Sequence, residues 1–130
     1  MSTALFKDTV TLYCYPSPDS SSCLRRILHR VKTVENLNSG GRSAVLYIPI
    51  HGKRSLKYLS PADFSSENPP KGVFTVRPGD RFVSGVCASL IPPEEAYTVS
   101  SVTEKRLGTL RIRHIKVLGS FIPVSEEATI

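Results

Sequence analysis

The chain has no tryptophan, one methionine, three cysteines and three histidines among 130 residues. It also lacks any apolar run near the ~20 residues a membrane-spanning helix needs. Cys14, Cys23 and Cys87 match no zinc spacing, and an odd count argues against a disulfide framework. Cys14 and Cys87 read as small buried hydrophobes, and a reducing compartment disfavours a Cys14–Cys23 bridge across the intervening loop. His29, His51 and His114 are scattered, so spacing predicts no metal site. Serines are plentiful, but none stands in a Gly-x-Ser-x-Gly elbow. Asn38-Ser-Gly-Gly-Arg42 lacks the Lys-Ser/Thr ending of a phosphate loop. These absences exclude the recognisable hydrolase, metalloenzyme and nucleotide-binding patterns, so the chain reads as a non-enzyme without cofactor or metal. The N-terminal residues show no basic stretch followed by an apolar one, and a cytoplasmic location is the expectation.

What is present is one domain's length and 40% hydrophobic residues, enough for a core without disulfides. The net charge of +6 and a pI near 9.5 favour acidic partners, nucleic acid among them, without selecting one.

Patterning points to an all-β fold with minor helical turns: a small antiparallel barrel or sandwich with long loops. Val10, Leu12 and Cys14 alternate with Thr9, Thr11, Tyr13 and Tyr15, which predicts a strand with one core face. Leu24, Ile27, Leu28, Val31 and Val34 instead fall on a helical stripe, and periodicity favours a helix there. Ser43–Ile50, Gly72–Val76 and Arg81–Leu90 read as strands, with Asn36–Arg42 and Ser65–Gly72 as loops. Ser60-Pro-Ala-Asp-Phe64 predicts one helical turn, and Pro92-Pro-Glu-Glu95 another. Pro78-Gly-Asp80 is a turn, in which Asp80 ties its own backbone and Gly79 takes positive φ. A closing hairpin runs from Tyr97 to Gly119 through a Lys105–Thr109 turn. The domain should therefore cover residues 1–119, with 120–130 a loosely held tail.

Two basic clusters stand out: Arg25, Arg26, His29, Arg30 and Lys32, then Lys105, Arg106, Arg111, Arg113 and Lys116. Arg111 and Arg113 point one way on the last strand and His114 the other. Ile115 and Val117 return to the arginine face, so a bulge or a switch of environment is expected near His114. The arginines form either a strip facing DNA or a partner, or a solvated strand face that blunts edge pairing. Tyr13, Tyr15, Tyr47 and Phe74 are present, but none is interleaved with the basic residues, so a base-stacking platform is only weakly suggested.

Several motifs carry a resemblance. Phe74-x-Val-x-Pro-Gly79-Asp80-x-Phe-Val-x-Gly85 is similar to an aromatic-x-Leu-x-x-Gly-Asp-x-Ile-Val-x-Gly pattern. Asp8–Tyr13, Arg26–Val31, Tyr58–Phe64, Ser101–Arg106 with Gly108, and His114–Val117 look like further pieces of the same family. That family comprises small uncharacterised proteins encoded among head-assembly genes of phages and prophages of Gram-positive bacteria. It usually has tryptophan where Phe74 and Ile115 stand here. It is similar to phage head–tail joining proteins, small β-barrels that form a ring below the portal. The resemblance implies that Leu24–Val34 is extended. It also implies a structural role in the virion neck, with portal, neck or tail proteins as partners and possible non-specific DNA contact. The chain would be a monomer alone and a ring when assembled, located in the bacterial cytoplasm and then the virion. The alternative is a basic β-barrel that binds nucleic acid.

Overall fold

The segment that periodicity assigns to a helix is a strand of 15 residues, β2, Leu24–Asn38. The helical-looking spacing comes from a bulge. Asp8 pairs with Val31 and Thr9 with His29, so Arg30 is an extra residue, held at φ 61°. The bulge resets the two-residue alternation, so Leu28 and Val31 both point into the core although three positions apart. A strand with an inserted residue thus mimics an i, i+3 stripe, and the extended reading replaces the helix.

The computed structural model describes residues 6–15, 23–38, 41–50, 57–61, 64, 72–105 and 114–121. Besides β2, the strands are β1 Asp8–Cys14, β3 Gly41–Pro49, β4 Lys57–Tyr58, β5 Val73–Phe74, β6 Arg81–Ser84, β7 Tyr97–Lys105 and β8 His114–Phe121. Six of them close a barrel in the order β1-β2-β3-β8-β7-β6, every neighbouring pair antiparallel. The fold is all-β, with no helix among the described residues and hence none able to cross a membrane.

β2 serves two neighbours in succession: its first part pairs with β1 and its second with β3. Asp8 marks the handover, its Oδ2 accepting the Thr33 N–H at 2.9 Å. β2 and β3 stay paired out to Asn38 and Gly41, so most of the expected Asn36–Arg42 loop is strand. β7 and β8 form the expected closing pair, in register from Lys105↔His114. An irregularity in that pair lies at Ser100, between Val99 and Ser101, and the residues just before His114, where a bulge or a switch of environment is expected, lie outside the described residues. The Lys105–Thr109 turn, with Arg106, Gly108, Arg111 and Arg113, lies outside the described residues beyond Lys105. β8 runs past Gly119 to Phe121, because Ser120 pairs with Ser43 and Phe121 with Arg42. Those two residues belong to the barrel rather than to a tail.

The interior is filled by Val10, Leu12, Leu28, Val31, Leu46, Ile48, Phe82, Val99, Ile115 and Val117, all at most 2% exposed. β4 and β5 are a short parallel pair. Phe74 and Val76 are buried in the barrel core, and Tyr58 packs against Phe74 with ring centroids 5.6 Å apart. The expected Gly72–Val76 strand shortens to Val73–Phe74: Gly72 turns at φ 76°, and the partner strand β4 ends at Tyr58, opposite Phe74. The Phe64 N–H donates to Ser60 O at 3.1 Å, closing the turn expected after Ser60. The second turn is a reverse turn, Ala96 N–H donating to Pro93 O.

Candidate functional site

β6 ends at Ser84 because Gly85 takes φ 80°, so the strand expected to run to Leu90 leaves the sheet. Residues 85–96 instead form an irregular strap across the outer face of β1. Thr11 Oγ1 donates to Gly85 O at 2.8 Å and accepts from the Cys87 N–H at 2.9 Å. Tyr13 OH donates to Ser89 O at 2.8 Å. This cover corrects the one-faced reading of β1: Thr11 and Tyr13 are fully buried along with Val10 and Leu12. The strap's apolar side chains face outward, with Val86 63%, Leu90 75% and Ile91 69% exposed.

Arginines pin the irregular segments. Arg25 Nε donates to Cys87 O at 2.6 Å, Arg26 Nε to Val73 O at 3.0 Å, and Arg77 to Tyr15 O. Arg81 reaches Ala96 O at 2.9 Å and Glu94 O at 3.2 Å. A guanidinium suits this use because its several donors can satisfy carbonyls that have no strand partner. Arg25 and Arg26 of the first basic cluster are therefore structural clamps.

Beneath the strap lies a depression of 480 Å³ lined by Glu35, Arg42, Val83, Val86, Cys87 and Tyr97 among others. Arg42 sits over the rings of Tyr97 and Phe121, at 5.1 and 4.9 Å, and donates to Glu95 O at 2.7 Å. Tyr97 OH donates to Glu35 Oε2 at 2.5 Å. Burial, and then the Glu35 carboxylate, push the Tyr97 hydroxyl up to about 12. The Cys87 thiol is lowered, first by its hydrogen bond with Tyr13 and then by the Ser89 backbone and Arg25. Its sulfur is part-exposed rather than buried as expected. The lining carries no histidine, and its Glu35 accepts the Tyr97 hydroxyl. No group of three His, Cys, Asp or Glu among the described residues could hold a metal.

The motif residues resolve into backbone roles. Gly79 has φ 99° in a turn closed by Asp80 N–H to Arg77 O at 3.1 Å, as a type II turn requires. Asp80 is 1% exposed; its Oδ2 accepts the Arg77 N–H and its Oδ1 the Tyr15 N–H, both at 3.0 Å. Burial outweighs those donors and pushes its carboxyl up from 3.8 to about 6. His114 is half-buried, with its ring edge-on to Tyr47 at 5.7 Å.

Register exposes an arrangement invisible along the chain. On the outer wall of β2, β3, β8 and β7, Lys32, Tyr47, Lys116 and Thr103 form one cross-strand row. Val34, Val45, Leu118 and Ser101 form the next, and Asn36, Ser43, Ser120 and Thr98 the third. On the other side of the lysine row, His114 pairs with Lys105. Tyr47 thus stands between two lysines that are 84 positions apart in sequence (116 − 32), with Lys32 Nζ 5.8 Å from its ring centre.

Fold and site together define a small closed β-barrel whose irregular outer segments are pinned by arginines. Residues 5–120 match the model of a family of unknown function (DUF6751), and the chain belongs to that family. No curated protein and no solved structure matches it.

Proposed function

We propose that the chain is a structural assembly protein of a phage or prophage, acting at the head–tail joint or as a minor capsid component. The observation that carries this reading is the presentation of apolar side chains from pinned backbone. Val86, Leu90 and Ile91 project from a strap fastened to β1, and Leu37, 80% exposed, projects from the β2–β3 hairpin. Apolar groups held out from a closed barrel suit contacts with neighbouring proteins. The resemblance of the Phe74–Gly85 and Ser101–Val117 stretches to phage head-assembly proteins supports the same role. Each exposed group is small, which fits a monomer in dilute solution that forms a ring only on a portal-side partner.

The test is deletion of the gene from an inducible prophage, followed by electron microscopy of the lysate. Heads without tails are expected. Complementation should succeed with the wild-type gene and fail with a folded Leu90→Asp/Ile91→Asp variant. Normal tailed, infectious particles after deletion would sink the proposal, as would a locus with no portal or capsid genes beside it.

A further inference from the structure

The outer wall of β2, β3, β8 and β7 is a cationic surface with an aromatic ring at its centre. Lys32 and Lys116 flank Tyr47 in one row, Lys105 and His114 lie beside it, and Val34, Val45 and Leu118 supply an aliphatic row on the other side. No Asp or Glu stands in the outward rows among the described residues. The two lysine backbones are two strand spacings apart, about 10 Å, with the tyrosine midway. A stretched single strand needs this alternation: a π face for one base and a cation for the phosphate on either side of it.

We infer that this wall binds single-stranded nucleic acid, a base stacking on Tyr47 while Lys32 and Lys116 take the adjoining phosphates. Lys32 already lies over the ring, so its ammonium moves from the ring to a phosphate as the base arrives. The edge-on contact with His114 braces the ring and reduces the ordering cost of stacking. The aliphatic row offers the next base an apolar floor. Stacking on Tyr47 and phosphate contacts from Lys32 and Lys116 read no base edge, so binding through them is indifferent to sequence. An acidic protein segment would use the lysines and the aliphatic row but would leave the flanked ring without a role, and nucleic acid is therefore the better fit. Binding at this wall is independent of the neck role. It rests the nucleic-acid contact on Lys32, Tyr47 and Lys116 and makes no use of Arg111 and Arg113, which lie outside the described residues.

The experiment is fluorescence anisotropy of the full chain with labelled dT20, rU20 and a 20-base-pair duplex, each at 50 and 150 mM salt, with poly-glutamate as competitor. Both single strands should bind more tightly than the duplex and weaken with salt. Tyr47→Ala should lose about tenfold in affinity and Tyr47→Phe little, because stacking needs only the ring. Lys32→Gln/Lys116→Gln should lower the salt slope by about 1.4, or ~0.7 for each phosphate contact removed. Circular dichroism confirms that each variant is folded, and the lysine pair remains informative if Tyr47→Ala unfolds. The proposal is overturned by absence of binding at 50 mM salt, by folded wall variants that bind like wild type, or by binding of the duplex as tight as that of the single strands. Poly-glutamate that competes as well as dT20 and depends equally on Tyr47 would also overturn it, and would assign the wall to an acidic protein.

Discussion

Asp80 fastens Tyr15, 65 positions away in sequence, by accepting its N–H at 3.0 Å while also accepting the Arg77 N–H. The Arg77 guanidinium returns a bond to the Tyr15 carbonyl, and Val99 N–H donates to Asp80 O at 2.8 Å. The buried carboxylate thereby joins the end of β1 to the Pro78–Gly79 turn, and the backbone carbonyl of the same residue ties both to β7.

Replacing Asp80 should show that join directly. Asp80→Ala strands two N–H groups and should cost about 2–4 kcal/mol. Asp80→Asn keeps one acceptor and should cost less. The pH dependence has a definite sign. With the native carboxyl raised from 3.8 to about 6, the folded state holds the proton more tightly than the unfolded chain. The contribution of Asp80 is therefore full below about pH 4 and is lost as pH rises through 6. Chemical denaturation of wild type and Asp80→Asn from pH 3.5 to 7.5 should show this component in the former and not in the latter. Parallel curves would refute it.

Two glycines should fail in different ways. A Cβ on Gly79 meets nothing within 4 Å, so only its φ of 99° resists a side chain. Gly79→Val should cost about 1–2 kcal/mol, and Gly79→Asn less, since Asn tolerates left-handed backbone. Gly119 has no such φ, but its Cβ would lie 2.6 and 2.9 Å from the Phe82 ring. Gly119→Ala should cost about 1–3 kcal/mol through overpacking, and a second substitution that shrinks Phe82 to Leu should recover part of the loss. Thermal melts of these four variants and of Phe82→Leu alone decide the matter, and additive effects at 119 and 82 would contradict the packing account.

The Arg30 bulge makes a third prediction. At φ 61° a β-branched side chain is strained, whereas glycine is not. Arg30→Val should therefore be less stable than Arg30→Gly by about 1–2 kcal/mol, although valine is the better strand former. Valine equal to or better than glycine would show that β2 can run through without the bulge.

Thiol labelling should rank the cysteines. Cys87 is part-exposed and its thiol is lowered, first by the hydrogen bond with Tyr13. Burial raises Cys23, and it drives the fully buried Cys14 up to about 12. Iodoacetamide followed by mass spectrometry should modify Cys87 first and Cys14 only on unfolding. Early labelling of Cys14 would mean that the barrel opens between β1 and Thr75, whose carbonyl accepts the Cys14 thiol.

Patterning along the chain was enough for the all-β class, the β1 core face, the Gly79–Asp80 turn and the pairing of the last two strands. Each depends on neighbours within a few positions: alternation of Val10, Leu12 and Cys14, a Pro-Gly-Asp turn, a short Gly-containing connection. The tertiary structure alone decided the rest, because the deciding contacts join residues far apart in the chain. Arg30 takes the bulge that turns a helical stripe into a strand only because β1 and β3 claim successive parts of β2. Tyr13 is buried because residues 85–91 return to cover it, and Arg25 is spent on the Cys87 carbonyl for the same reason. Lys32, Tyr47 and Lys116 become neighbours only when three strands are set in register, and no spacing along the chain encodes that register.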